Sequence, residues 1–232
     1  MNALEAKDIT KSFHMEGQEI PVLRGVSLAL PQGAFHAVMG PSGSGKSTLM
    51  AVLAGLLPPD AGEVTVAGQS LCGLSDRALT RLRRRTIGIV FQDCNLVPTL
   101  TVAENIALPA LLDGHPLPET RLTRLLDLVG LAHRRTQPAD RLSGGEAQRT
   151  AIARAFAMEP GVILADEPTG NLDAKTGDQV LALLFELTKE RHAVLAMVTH
   201  SPETAARCDR TLTLQDGVLI EGRGARENAT GQ

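Results

Sequence analysis

Residues 40–48 read Gly40, Pro41, Ser42, Gly43, Ser44, Gly45, Lys46, Ser47, Thr48, a run holding G-x-x-x-x-G-K-[ST] with Gly40, Gly45, Lys46 and Ser47 at the fixed places. Ala34 to Met39 (AFHAVM) is apolar enough for a buried strand, and Ser47 to Gly55 (STLMAVLAG) suits a helix closed by a glycine. Without those flanks the run is a Gly/Ser linker that contains a lysine; with them it is a phosphate-binding loop. Glycines let the backbone curl until successive N–H groups point at phosphate oxygens, and the helix adds its positive end. Lys46 is expected to reach the β- and γ-phosphates of a bound nucleotide, and the Ser47 hydroxyl to complete a Mg²⁺ shell.

The chain has 232 residues, enough for one large domain or a core with a subdomain. Hydrophobic residues make up 43% and charged ones 21%, the balance of a soluble globular protein. A formal net charge of −3 gives no reason to expect a nucleic-acid partner. No apolar run approaches the ~20 residues that span a bilayer, and the N-terminus MNALEAKDIT lacks the basic and apolar regions of a signal peptide. Cys72, Cys94 and Cys208 are far apart and without metal-ligand spacing, as in a reduced cytoplasmic protein.

Residues 3–39 read as short strands joined by turns, with Val22 to Leu30 alternating as a half-buried strand. Phe13 is either an adenine-stacking aromatic or a core phenylalanine. Glu63 to Ala67 gives a short strand, and Ser75 to Arg85 a helix capped by Ser75. The basic cluster Arg81, Arg83, Arg84 and Arg85 closes that helix, as a solvated face or as a hold on nucleic acid or anionic lipid. Ile87 to Phe91 is a buried strand. From Gln92 to about Pro160 the periodicity is helical, over Thr101 to Leu112, Leu117 to Val129 and Glu146 to Met158. Strands return at Gly161 to Ala165, Ala193 to Val198 and Arg210 to Leu214, with helices over Ala174 to Arg191 and Ser201 to Arg207 between them. Such alternation argues for an α/β fold with a mostly parallel, doubly wound sheet into which the 92–160 helices are inserted. Residues 1–222 form one unit, and 223–232 (RGARENATGQ) resemble a frayed tail.

Asp166 and Glu167 follow the apolar run Val162 to Ala165. An acid at such a strand end helps hold Mg²⁺, a role for Asp166, and Glu167 is placed to accept a proton from an attacking water. Leu142 to Arg149 reads LSGGEAQR. Ser143, Gly144 and Gly145 therefore stand at a helix N-terminus, either a second anion site or a plain glycine-rich cap. Taken with the phosphate loop and the DE strand, this segment resembles the signature motif of ABC-type ATPases.

The resemblance runs from about residue 4 to 221. It implies a P-loop NTPase core with an N-terminal antiparallel β subdomain and the inserted helical subdomain. It makes Gln92 the Q-loop glutamine, contacting Mg²⁺ and the attacking water, and Asn171-Leu172-Asp173 the D-loop that crosses to the opposite subunit. His200, which alone reads as a surface histidine, becomes the switch histidine at the γ-phosphate. Phe13 matches the adenine-stacking aromatic. The resemblance also implies ATP and Mg²⁺ as ligands. A second copy packs head to tail, so that Ser143 of one subunit covers the γ-phosphate of the other.

GQEIPVLRGVSL, RRRTIGIVFQDCNLVPTLTVAENIALP and ADEPTGNLD look like the lipoprotein-releasing and macrolide-export group of bacterial ATPases. That likeness implies a separately encoded integral membrane subunit docking near Gln92 to Pro98. It places the chain in the cytoplasm, peripheral at the cytoplasmic face of the inner membrane. The other readings are a small-solute importer ATPase and a soluble ABC ATPase acting on nucleic acid, ribosomes or iron–sulfur assembly. Neither a coiled-coil insertion nor a second cassette is present to favour the soluble reading.

Overall fold

The computed structural model describes residues 2–15 and 17–221; the stretch from Arg223, expected to fray, lies outside the described residues. Instead of short N-terminal strands there are two of 14 residues, β1 (Asn2–Met15) and β2 (Gln18–Pro31), paired antiparallel. Their alternation is hard to read because it is reset midway. Asp8 takes φ 49, and the register shifts on both sides of Ile9, a bulge that bends and twists the ribbon. After β3 (Phe35–Met39) comes α1 (Lys46–Leu53), which buries Leu49, Met50, Val52 and Leu53. β4 (Ala61–Val66) and β5 (Gln69–Ser70) return to the N-terminal ribbon.

α2 (Asp76–Thr86) starts on Ser75, whose hydroxyl accepts the Ala78 N–H at 3.3 Å. Its arginines are not simply a solvated face, because three of the four have fixed partners. Arg83 donates to the Gly55 carbonyl at 2.8 Å, Arg84 to the Leu112 carbonyl at 2.6 Å, and Arg85 lies 2.9 Å from the Asp113 carboxylate. They tie α2 to the end of α1 and to the next helix but one strand.

β6 (Ile87–Val90) leads into that helix, α3 (Val102–Leu112), begun by a Thr101–Glu104 capping box, and then α4 (Glu119–Leu128) and α5 (Gly144–Phe156). β7 (Val162–Asp166), α6 (Ala174–Glu190), β8 (Val194–Val198), α7 (Pro202–Ala206) and β9 (Arg210–Gln215) follow. A last strand, β10 (Val218–Glu221), was not expected. Asp216 and Gly217 both take positive φ (50 and 77), the two-residue hairpin turn for which Asp-Gly is a strong signal.

Two sheets result, an antiparallel one ordered β2-β1-β4-β5 and a six-stranded one ordered β10-β9-β3-β8-β7-β6, parallel except at β10. The six-stranded sheet has a separate apolar core on each face. Ile163, Ala165, Leu195 and Met197 point into a core with α3, α4, α5 and α6, built on Ile106, Leu126, Phe156 and Leu184. Their neighbours Val162, Leu164, Val194, Ala196 and Val198 point into another, shared with α1 and the antiparallel sheet, built on Leu4, Leu49 and Leu53. Strands buried on both faces explain the unbroken apolar runs in the sequence. Among the described residues no helix is long and apolar enough to cross a membrane.

Candidate functional site

β3, β8 and β7 lie side by side and parallel, so the loops leaving their C-terminal ends emerge together, the edge where open α/β sheets bind ligands. The ladder continues past the strands. Thr199 N–H donates to the Val38 carbonyl at 3.2 Å and Glu167 N–H to the Val198 carbonyl at 3.1 Å. The phosphate loop, the Asp166–Glu167 pair and His200 are thereby set at one rim.

The loop's glycines are demanded by its shape. Gly40 has φ 153, and a Cβ there would sit 2.1 Å from the Leu214 carbonyl oxygen; at Gly45, φ 99, it would meet Val22 Cγ1 at 2.9 Å. α1 begins at Gly45 with no side-chain cap and no acidic residue in its first turn, which leaves its first N–H groups for an anion. Pro41, Ser42 and Gly43 line the loop's exposed outer turn, and Thr48 is half-buried. Ser44 Oγ is buried and has no hydrogen-bond partner among the described residues. Lys46 is 6% exposed, and its ammonium donates to the Gly40 carbonyl at 3.0 Å and the Pro41 carbonyl at 2.9 Å.

Beside the loop, burial raises the Asp166 carboxyl above its ordinary range, opposed by a hydrogen bond from Ser47. A hydroxyl and a desolvated carboxylate in contact form an oxygen donor set of the kind Mg²⁺ takes together with phosphates and waters. Glu167 sits in the left-handed region (φ 45), and its Oε1 lies 2.9 Å from His200 Nε2. Gln92 closes the group, donating from Nε2 to Asn171 Oδ1 at 3.3 Å, while Asn171 Nδ2 donates to Asp93 Oδ1 at 3.1 Å.

Ser143 caps α5 in a second capping box. Its N–H and hydroxyl donate to Glu146 at 2.9 and 2.8 Å, and Arg134 Nε donates to the same carboxylate at 2.9 Å. The bonds from Ser143, backbone first, and from Arg134 hold the Glu146 carboxyl down at about 2. Gly145 is buried against Thr176, whose Cγ2 would lie 2.5 Å from an added Cβ, and Gly144 faces Leu172. Asp173 caps α6, accepting the Thr176 N–H at 3.0 Å, so the signature and Asn171–Asp173 segments pack as neighbours.

Thus the structure brings together Ser47 and Asp166, Glu167 and His200, and Gln92 and Asn171. Ser143 is not joined to them; among the described residues its hydrogen bonds stay within its own turn. Phe13 is 38% exposed near the β1–β2 turn, with the Lys11 ammonium 5.9 Å from its ring.

Sequence reasoning passed over Gln148 and Arg154, which face the Gln92 loop from α5. Gln148 is 1% exposed, accepts from Cys94 Sγ at 2.7 Å and donates to the Phe91 carbonyl at 3.2 Å. Burial pushes the Cys94 thiol up. No local signal marks Gln148 or Arg154, since what they bind is main chain and one thiol far earlier in the chain. Gly170 was passed over too. A Cβ there would come 2.8 Å from Gln92 Nε2 and 3.4 Å from Glu167 Oε2.

The family model for ABC transporters matches residues 23–170. This chain belongs to the ABC transporter family. The cassette is 46% identical over 219 residues to lipoprotein-releasing system ATP-binding protein LolD 1 of Rhodopirellula baltica, covering 94% of this chain and 96% of that protein. It is 47% identical over 222 residues to the ABC transporter ATP-binding protein YbbA of Escherichia coli K12, covering 95% and 97%. Among solved structures it resembles a dimeric ATP-binding cassette, MJ0796, in a post-hydrolysis state with ADP and Pi bound. The TM-score is 0.89 at 37% identity, covering 96% of this chain and 99% of that one. The cassette is an ATP-binding and ATP-hydrolysing one. In it, Gly170→Ala displaces only side-chain ends, so it is expected to fold normally with an unchanged melting temperature. If Gln92 serves hydrolysis, the shifted amide should lower ATP turnover about tenfold, read as phosphate release.

Proposed function

We propose that this ATPase powers a membrane complex of the lipoprotein-releasing or export type, closing head to tail on a second copy of itself when ATP binds. The observation that carries this reading is the division of the site. Lys46, Asp166, Glu167, His200 and Gln92 gather at one sheet edge, while Ser143, exposed at the start of its helix, makes no hydrogen bond to any of them. A phosphate bound by the loop is covered from one side by its own chain. The other side is left to the Ser143 hydroxyl and the Gly144 and Gly145 N–H groups of the second copy.

In this reading the loop amides and Lys46 bind the β- and γ-phosphates, and Phe13 stacks on adenine. Ser47, Asp166 and, through its amide, Gln92 hold Mg²⁺, which when bound neutralises phosphate charge. Glu167 takes the proton of the attacking water. His200, beside it, orients the γ-phosphate, and Asp173 lies at the seam between copies. Residues 1–222 act as one nucleotide-binding unit, with the 92–160 helices as the part that answers to the partner.

That partner is a separately encoded integral membrane subunit docking near Gln92 to Pro98, where Val97 is 37% exposed. A groove of about 400 Å³ that starts at Phe91, just ahead of this loop, and runs past Leu108, Leu112 and Met158 with Arg84 and Arg154 in its wall supports a partner on this side of the cassette. The cassette then lies at the cytoplasmic face of the inner membrane through its partner. The relatives' names, lipoprotein release above all, favour this over an importer or a soluble role.

A two-copy site makes turnover per chain rise with protein concentration until the dimer saturates. The expected result is Mg²⁺-dependent phosphate release with that curvature, abolished by EDTA. A strictly constant specific activity across a hundredfold dilution, in a range where light scattering finds the chain monomeric, would sink the shared site.

A further inference from the structure

The Gln92 loop holds an unfavourable backbone shape away from the phosphate site. Cys94 and Asn95 are both left-handed (φ 59 and 48), a region L side chains seldom adopt, and neither is glycine. Asn95 N–H closes a tight turn onto the Asp93 carbonyl at 2.6 Å. Such a turn persists only where its surroundings hold it. The holder is Arg154, near the end of α5. Its guanidinium donates from Nη2 to the Cys94 carbonyl and from Nη1 to the Asn95 carbonyl, both at 2.6 Å.

No carboxylate pairs with Arg154 among the described residues' salt bridges. Burial holds its pKa below the ordinary arginine value. A largely desolvated cation spent on two loop carbonyls is a costly arrangement for packing alone. Gln148, on the same helix, holds the loop's other side through Cys94 Sγ and the Phe91 carbonyl.

We propose that Arg154 is a positioning residue for hydrolysis: by clamping the left-handed Cys94–Asn95 turn to α5, it sets Gln92 and Asp93 against Asn171 beside Glu167. It acts on the reaction only through Gln92. Because α5 is one helix that begins at Ser143, the clamp also joins the Gln92 loop rigidly to the signature end. Movement of either end is thereby passed to the other as displacement of a single body. The proposal rests on the ATPase reading and on Gln92 acting in it.

The test is a double-mutant cycle of Arg154→Met and Gln92→Ala on the full chain, with calorimetric ATP binding, steady-state turnover and amide exchange of the nucleotide-free protein. Arg154→Met is expected to keep ATP affinity and KM within about twofold while kcat falls about ten- to a hundredfold. The double variant should be no slower than Gln92→Ala. Exchange should quicken at the 92–96 amides and stay unchanged in β7 and β8. Arg154→Lys, which keeps the charge and can reach one carbonyl, should recover part of kcat and guards against a Met variant that does not fold.

Multiplying losses in the double variant, or wild-type turnover by Arg154→Met, overturns the proposal while leaving the ATPase reading intact. Faster exchange throughout the sheet means a merely structural role and overturns it equally. Wild-type turnover by Gln92→Ala overturns both the positioning role and the role given to Gln92.

Discussion

Glu167→Gln is expected to bind ATP as the wild type does, to lose turnover by about 10²- to 10⁴-fold, and to double its mass on adding ATP and Mg²⁺. The amide keeps the shape and hydrogen-bonding reach of the carboxylate, including its 2.9 Å approach to His200, but it cannot take a proton. ATP then remains between the two copies, and a contact that hydrolysis would dissolve persists. Light-scattering mass with and without nucleotide reads the second effect and phosphate release the first. Normal turnover would remove the general-base role from Glu167. A constant monomer together with lost turnover would place the closure of the dimer under the control of the membrane subunit.

Lys46→Ala strikes earlier in the cycle. The ammonium is held 2.9–3.0 Å from the Gly40 and Pro41 carbonyls, inside a loop whose amides and helix end already favour an anion. Removing a buried charge from such a partnership costs about 3 kcal/mol, a hundredfold or more in Kd. Calorimetry should find ATP binding weakened by at least that factor, with the chain still folded because Lys46 takes no part in either apolar core. Unchanged affinity would contradict the phosphate-loop reading.

The centre of the site could be read from sequence because each motif there is local. Gly40 to Ser47, Asp166–Glu167 and Ser143–Glu146 each carry their own strand or helix context within a few residues. Elements framed by apolar periodicity and a cap, such as the helices starting after Ser75 and Thr101, could be placed to within one or two residues. What escaped was non-local or irregular. The bulge at Asp8 hid the length of β1. The arginines of α2 looked solvated because their partners, Gly55, Leu112 and Asp113, are distant in sequence or are backbone carbonyls without a side-chain signature. Gln148 and Arg154 escaped for the same reason, since what they bind is main chain and one thiol 54 to 60 residues earlier. The β10 hairpin is different. Its Asp-Gly turn was in plain view, and only the short apolar run after it made it easy to pass over.

The alternation of Ile163 with Leu164 and of Leu195 with Ala196 between two interiors has a consequence for descent. Residues that fill the helical side can drift, one repacking at a time, without disturbing the side chains beneath the phosphate loop. A lineage can therefore refit much of the half that meets a new machine while inheriting its engine, so long as Ser143, Gln92 and Arg154 keep their places. The shared sheet sets the boundary between what varies and what is kept.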